Sequence, residues 1–173
     1  MKSRYVMFAA YNRWANERLY DAAEALDAES YRMDRGAFFK SVHGTLNHLL
    51  VADRIWMRRF TGAGEAPERL DAILFDDVTA LRSARRAEDE RIIAYIDRLG
   101  ETDLTGRLAY RTLTDGRSID QELWPALDHF FNHQTHHRGQ VHCLLTGILG
   151  NAPSLDLVAF QRVAGIGGVR VGP

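Results

Sequence analysis

The stretch His129-Phe130-Phe131-Asn132-His133-Gln134-Thr135-His136-His137-Arg138-Gly139-Gln140 reads as one helix with histidines at i, i+4 and i+8. A helix turns about 100° per residue, so each step of four advances the face by only about 40°. His129, His133 and His137 therefore form one stripe, and neighbours in it can turn their imidazoles to a common point. Histidines four apart are a common way for a helix to offer two nitrogen ligands to a metal ion. Around the stripe, apolar residues keep the helical period from about Pro125 to Leu149, and Gly150-Asn-Ala-Pro153 ends it.

Three more segments carry that period. The first runs from about Ser3 to Leu26, the second from Phe39 to Phe60 and the third from Asp77 to Leu99. Between the third and fourth the texture changes. Leu108 to Leu113, followed by Asp115-Gly116, predicts a strand entering a hairpin, because Asp-Gly suits a type I′ turn. A rival reading takes Ser118-x-x-Gln121 as a capping box that opens the fourth helix early. Pro125 argues against it, since proline is tolerated at the first helical position and disruptive in the interior. A short helix is expected near Ser154 to Arg162, followed by a fraying glycine-rich tail over 164–173. These elements describe an all-α, four-helix-bundle domain over residues 1–163, with a short hairpin before the fourth helix.

The 173 residues suffice for one domain with a substantial core. With 46% hydrophobic and 26% charged residues, the balance is that of an ordinary globular protein. A net charge of −1 gives no electrostatic reason to expect nucleic acid or an anionic membrane as partner. The interleaved charges from Asp77 to Arg91 read as a solvated helix face. A single cysteine, Cys143, excludes an intrachain disulfide framework and suits a reducing compartment. Its apolar neighbours suggest a buried small hydrophobe. With no apolar signal core and no run long enough to span a membrane, a cytoplasmic location is expected.

A metal site needs ligands from a facing helix. The second helix offers His43 and His48. His48 lies in the apolar register, with small neighbours Gly44, Thr45, Val51 and Ala52 leaving room for an imidazole and its cargo. His43, about 140° away and near the helix start, is expected to be solvated.

Tyr11-Asn-Arg-Trp-Ala-Asn-Glu-Arg-Leu19, Leu46-Asn-His48-Leu49 with Ala52-Asp53 and Trp56, and His133-x-x-x-His137-Arg-Gly-Gln140, in this order, resemble the DinB/YfiT-like family. The likeness covers roughly residues 3–150. It implies an up-down-down-up bundle, usually a homodimer, in which His48, His133 and His137 hold one divalent metal ion. His129 then sits behind the ligands or in the pocket wall, and His136 points off the ligand face. Some members of the superfamily are thiol-dependent S-transferases using bacillithiol or mycothiol, or isomerases with the same cofactors; many have no assigned activity. The family name refers to damage-inducible expression and carries no implication of DNA binding.

Three neutral imidazoles leave a coordination position open, as in catalytic rather than structural zinc sites. Zinc, nickel, iron or copper would all suit such ligands. An ion there can generate a thiolate or a hydroxide nucleophile at neutral pH. A low-molecular-weight thiol is thus a candidate second cofactor. Asp53 and Asp128 are candidates for orienting an imidazole, or ordinary helix charges. Tyr11 and Trp14 fill the bundle interior or line a substrate pocket. Arg138 fixes the bundle or receives a substrate anion, and Gly139 allows close helix approach. No residue is singled out as acid or base. The expected activity is a metal-dependent S-transferase; the alternatives are a metallohydrolase and a metal-stabilised module that binds a small molecule or a protein without turnover.

Overall fold

The computed structural model describes residues 1–168. Four long helices, α1 (Lys2–Glu24), α3 (Val42–Thr61), α4 (Val78–Arg98) and α5 (Leu123–Leu149), carry most of the mass. Two short helices, α2 (Ala28–Arg32) and α6 (Leu157–Val163), and an antiparallel pair, β1 (Arg107–Arg111) and β2 (Ser118–Glu122), complete it. α1 and α3 each pack against both α4 and α5. Among the described residues no helix is long and apolar enough to cross a membrane.

Side-chain chemistry at the helix starts explains the boundaries. Ser41 Oγ accepts from Gly44 N at 3.0 Å, and the Asp77 carboxylate accepts from Ala80 N at 2.8 Å. Both satisfy first-turn amides that have no helical partner. α5 opens at Leu123, two residues before the expected start, so Pro125 occupies the third helical position. That is still within the first turn, where a missing N–H costs little.

The core holds two large apolar clusters between the long helices and a small third one, of Tyr11, Ala15 and Phe160, between α1 and α6. Of the large ones, one joins Tyr5 and Ala9 of α1 with Met57 of α3, Ile92 and Ile96 of α4, and Leu127 and Phe130 of α5. The other joins Leu19 and Tyr20 of α1 with Leu46 and Leu50 of α3, Leu81 of α4, and Val141 and Leu145 of α5. The middle turns of the same helices are polar yet buried: Asn12, Asn16, Asp53, Arg85, Asp89, Gln134 and Arg138.

This polar layer corrects the reading of α4 as a solvated face, since Arg85 and Asp89 are each 2% exposed. Their charges are matched inside the protein. Arg85 Nη1 lies 2.6 Å from Asp53 Oδ2, and Arg85 Nη2 lies 3.0 Å from Asp89 Oδ1.

The hairpin forms where expected, with Tyr110 opposite Ile119, and β2 occupies the residues that the early-helix reading would have made helical. The turn is longer than a two-residue type I′ loop, because Thr112 N donates to Arg117 O across Leu113 to Gly116. Asp115 closes it by accepting from Thr112 Oγ1, and Gly116 takes the left-handed φ of 67°.

Two single-residue expectations are corrected. Cys143 is exposed, because it lies about 160° round α5 from Val141, which faces the core. A Cβ on Gly139 would meet no atom within 4 Å, so this glycine does not mediate a close helix contact. The expected tail is described only as far as a 3-10 turn at Ile166–Gly168; residues 169–173 lie outside the described residues.

Candidate metal centre

His48 on α3 and His133 and His137 on α5 bring their ligand nitrogens within 4.8 Å of one another, a grouping that can hold a metal ion. His48 Nε2 lies 3.2 Å from His137 Nε2 and 3.3 Å from His133 Nε2. Two nitrogens bound at about 2.0–2.1 Å to one tetrahedral ion would stand about 3.3 Å apart.

The outer ring nitrogens show why the His48–His137 contact is not an ordinary hydrogen bond. His48 Nδ1 faces the Leu70 carbonyl oxygen at 2.8 Å, and a carbonyl only accepts, so the proton sits on Nδ1. His137 Nδ1 faces Gln140 Oε1 at 2.7 Å and donates in the same way. The Nε2 atoms of His48 and His137 are therefore both lone-pair nitrogens pointed at one another. Such a pair repels unless a proton or cation lies between them. Protonation is disfavoured: burial pushes His48 down to about 4 and His133 to about 3, the neighbouring imidazoles adding to it, and burial lowers His137 as well. Neutral, preoriented imidazoles are the form a metal binds.

One side of the cluster is closed by Phe39. Its ring stacks on His48 at 3.7 Å between centroids and meets His137 edge-on at 5.6 Å. The chain reaches this position through a tight turn in which Lys40 takes a left-handed φ of 68°. The Phe39 carbonyl rests where a Cβ on residue 44 would sit, so only Gly44 permits the approach. The other side is open. A cavity of about 370 Å³ reaches His133 and is walled by Trp56, Arg59, Leu70, Tyr110 and His129.

His129 belongs to this cavity: its ring lies 5.8 Å from His133 and 5.2 Å from Trp56. Partial enclosure, and then the Arg59 charge, hold its pKa below the usual histidine value. Asp53 reaches no imidazole; it pairs with Arg85 and accepts from Gln134, the residue next to His133. Asp128 accepts from Tyr5 Oη at 2.9 Å. Tyr11 and Trp14 face away from the cluster and pack on Phe160 of α6 at 5.8 and 5.7 Å. Arg138 is buried and ties α5 to α1 by donating to Asn12 Oδ1. His43 is buried rather than solvated, because the segment before α4 folds over it and the Phe75 carbonyl sits 3.0 Å from its Nε2.

Phe39 and the Leu70 carbonyl escaped the reading of the sequence. Neither lies at helical spacing from a ligand, and a backbone carbonyl has no residue-type signal. Gln140, three residues after His137, stood in the quoted motif without a role.

Comparison with known proteins agrees with this architecture. The chain is 26% identical over 143 residues to Protein DinB of Bacillus subtilis (strain 168), covering 78% of this chain and 80% of that protein. The crystal structure of a DinB-like protein from Bacillus cereus ATCC 10987 shares its fold, with a TM-score of 0.64 at 17% identity over 85% of this chain and 94% of that one. The family-wide sequence pattern described as DinB family matches residues 1–167. The chain therefore belongs to the DinB family.

Proposed function

We propose that this protein is a divalent-metal enzyme whose ion is held by His48, His133 and His137, and that it transfers the sulfur of a small thiol to an electrophilic carbon. The observation that carries the reading is the pair of Nε2 lone pairs facing each other at 3.2 Å beside a cavity. We also read residues 1–163 as one up-down-down-up bundle. Each of the two large apolar clusters joins the start of α1 and α5 to the end of α3 and α4, or the reverse, which supports that direction of the helices.

When bound, a divalent ion supplies Lewis acidity that favours the thiolate form of a thiol at neutral pH. Zinc, nickel and iron all suit three imidazoles. The protein's own residues do the remainder. Leu70 and Gln140 fix the tautomers of His48 and His137, so neither of these two ligands must rotate or lose a proton to bind. Phe39 excludes water from one side of the cluster, and the cavity beside His133 admits the electrophile from the other. In the transfer the sulfur–carbon bond forms as the carbon–leaving-group bond breaks with its electron pair, and the thiol proton passes to solvent.

A panel of low-molecular-weight thiols with a chromogenic aryl halide tests this on metal-loaded protein. Turnover should require thiol and metal, and His133→Ala should abolish it. Full activity in His133→Ala would contradict the reading. Turnover of esters without thiol would replace it with a metallohydrolase, and no turnover of any substrate would favour a binding module.

A further inference from the structure

The cavity beside His133 has a chemistry of its own, set by Arg59. This guanidinium lies over the corner where two aromatic rings meet edge-on, 4.5 Å from the Trp56 ring centroid and 4.7 Å from that of Tyr110. Stacking of this kind immobilises the planar fork and leaves its N–H edges free. One edge is used, by Nη2 donating to the Arg111 carbonyl at 3.1 Å. Among the described residues no carboxylate pairs with Arg59, although most other partly buried arginines here have one. The cavity wall contains no acidic side chain either: its polar members are Arg59, His129, His133, Tyr110, Thr112 and Thr114. A half-enclosed guanidinium with a free N–H edge and no carboxylate partner among the described residues is suited to receive an anion from outside.

We infer that this cavity binds a small organic anion, its carboxylate or phosphate held by the free edge of Arg59 and its flat apolar body lying along Trp56, Tyr110 and Leu70. The volume, about 370 Å³, is in the range of small-molecule sites, roughly 300–1,000 Å³. His129 and His133 form the inner wall, so a molecule anchored at Arg59 extends toward the histidine cluster. The inference names the substrate class of the proposed enzyme and in that sense rests on the preceding reading. The anion site itself can be measured with or without metal.

The probes are phenylacetate, phenyl phosphate and the neutral phenylacetamide. Each is titrated calorimetrically into zinc-loaded and metal-free protein, with metal content measured on the same samples. At least one anion should bind roughly tenfold or more tighter than the amide, the worth of one charge-assisted hydrogen bond in a partly enclosed site. Arg59→Met, which keeps the stem for packing, should reduce anion binding to the level of the amide. Arg59→Lys should retain part of the preference, and both variants should keep the metal content of the parent. Equal binding of anions and amide, no binding of any probe, or anion binding unchanged in Arg59→Met would overturn the site. If the protein takes up no zinc, the metal reading fails while the anion titration still decides the role of Arg59.

Discussion

His133 and Gln134 are neighbours on α5, yet they belong to two buried polar regions of opposite character. Gln134 joins the layer of Asp53, Arg85, Asp89, Asn12, Asn16 and Arg138, where Arg85 meets both carboxylates, Asn12 links Arg138 to Asp89, and Asn16 and Gln134 donate to Asp89 and Asp53. His133 joins a cluster of neutral imidazoles whose inner nitrogens meet only each other. The first region is neutralised by its own residues and cross-links α1, α3, α4 and α5. The second turns neutral nitrogens toward one another in an arrangement that can hold a cation. Burial of polar groups thus marks structure where the charges close among themselves, and marks a binding site where they do not.

The difference can be broken from either side. Asp53→Ala would leave Arg85 buried with one carboxylate fewer, which should cost about 3–5 kcal/mol in chemical denaturation whether or not metal is present. A loss below about 1 kcal/mol would mean the layer is wetter or weaker than its distances imply. On the histidine side, saturating metal at about one hundred times its Kd should stabilise the wild type by about 2.7 kcal/mol. It should leave the melting temperature of His133→Ala unmoved; an equal shift in both would place the ion elsewhere.

Acid separates the regions further. His48 titrates near 4 in the folded, metal-free protein against an ordinary value of 6.5, so the unfolded chain binds the proton more readily. Stability from this residue is therefore present above about pH 6.5 and falls as pH drops toward 4, by on the order of 2 kcal/mol. Melting curves of metal-stripped protein between pH 7 and 5 should show that decline, and His48→Ala should make it shallower, leaving the part that His133 and His137 contribute. The smallest effect concerns Gly139, on the exposed face of α5. With nothing within 4 Å of a Cβ, Gly139→Ala should stabilise by about 0.5–1 kcal/mol through helix propensity alone. A loss instead would reveal a contact made only in an assembly.

The two regions also differed in how far the sequence disclosed them. His133 and His137 follow from spacing along one helix, and His48 from its register and from the resemblance. The hairpin was readable because Asp115-Gly116 interrupts a β-rich run. The polar layer was hidden, since interleaved charges such as Arg85 and Asp89 look the same on a solvated face as on a buried one; only pairing with Asp53, on another helix, distinguishes them. Phe39 and the Leu70 carbonyl were hidden for a similar reason, arriving at His48 from segments outside the long helices. Local periodicity reports which side of a helix is special, and long-range contacts decide what makes it so.

The central claim is that the three imidazoles converge on an ion. Elemental analysis of the untagged protein, beside His48→Ala and His133→Ala, tests it most directly. The account predicts close to one transition-metal ion per chain, lost in both variants while their folded helix content persists. Metal retained in full by either variant, or none taken up by the wild type after incubation with zinc, nickel and iron, would contradict it.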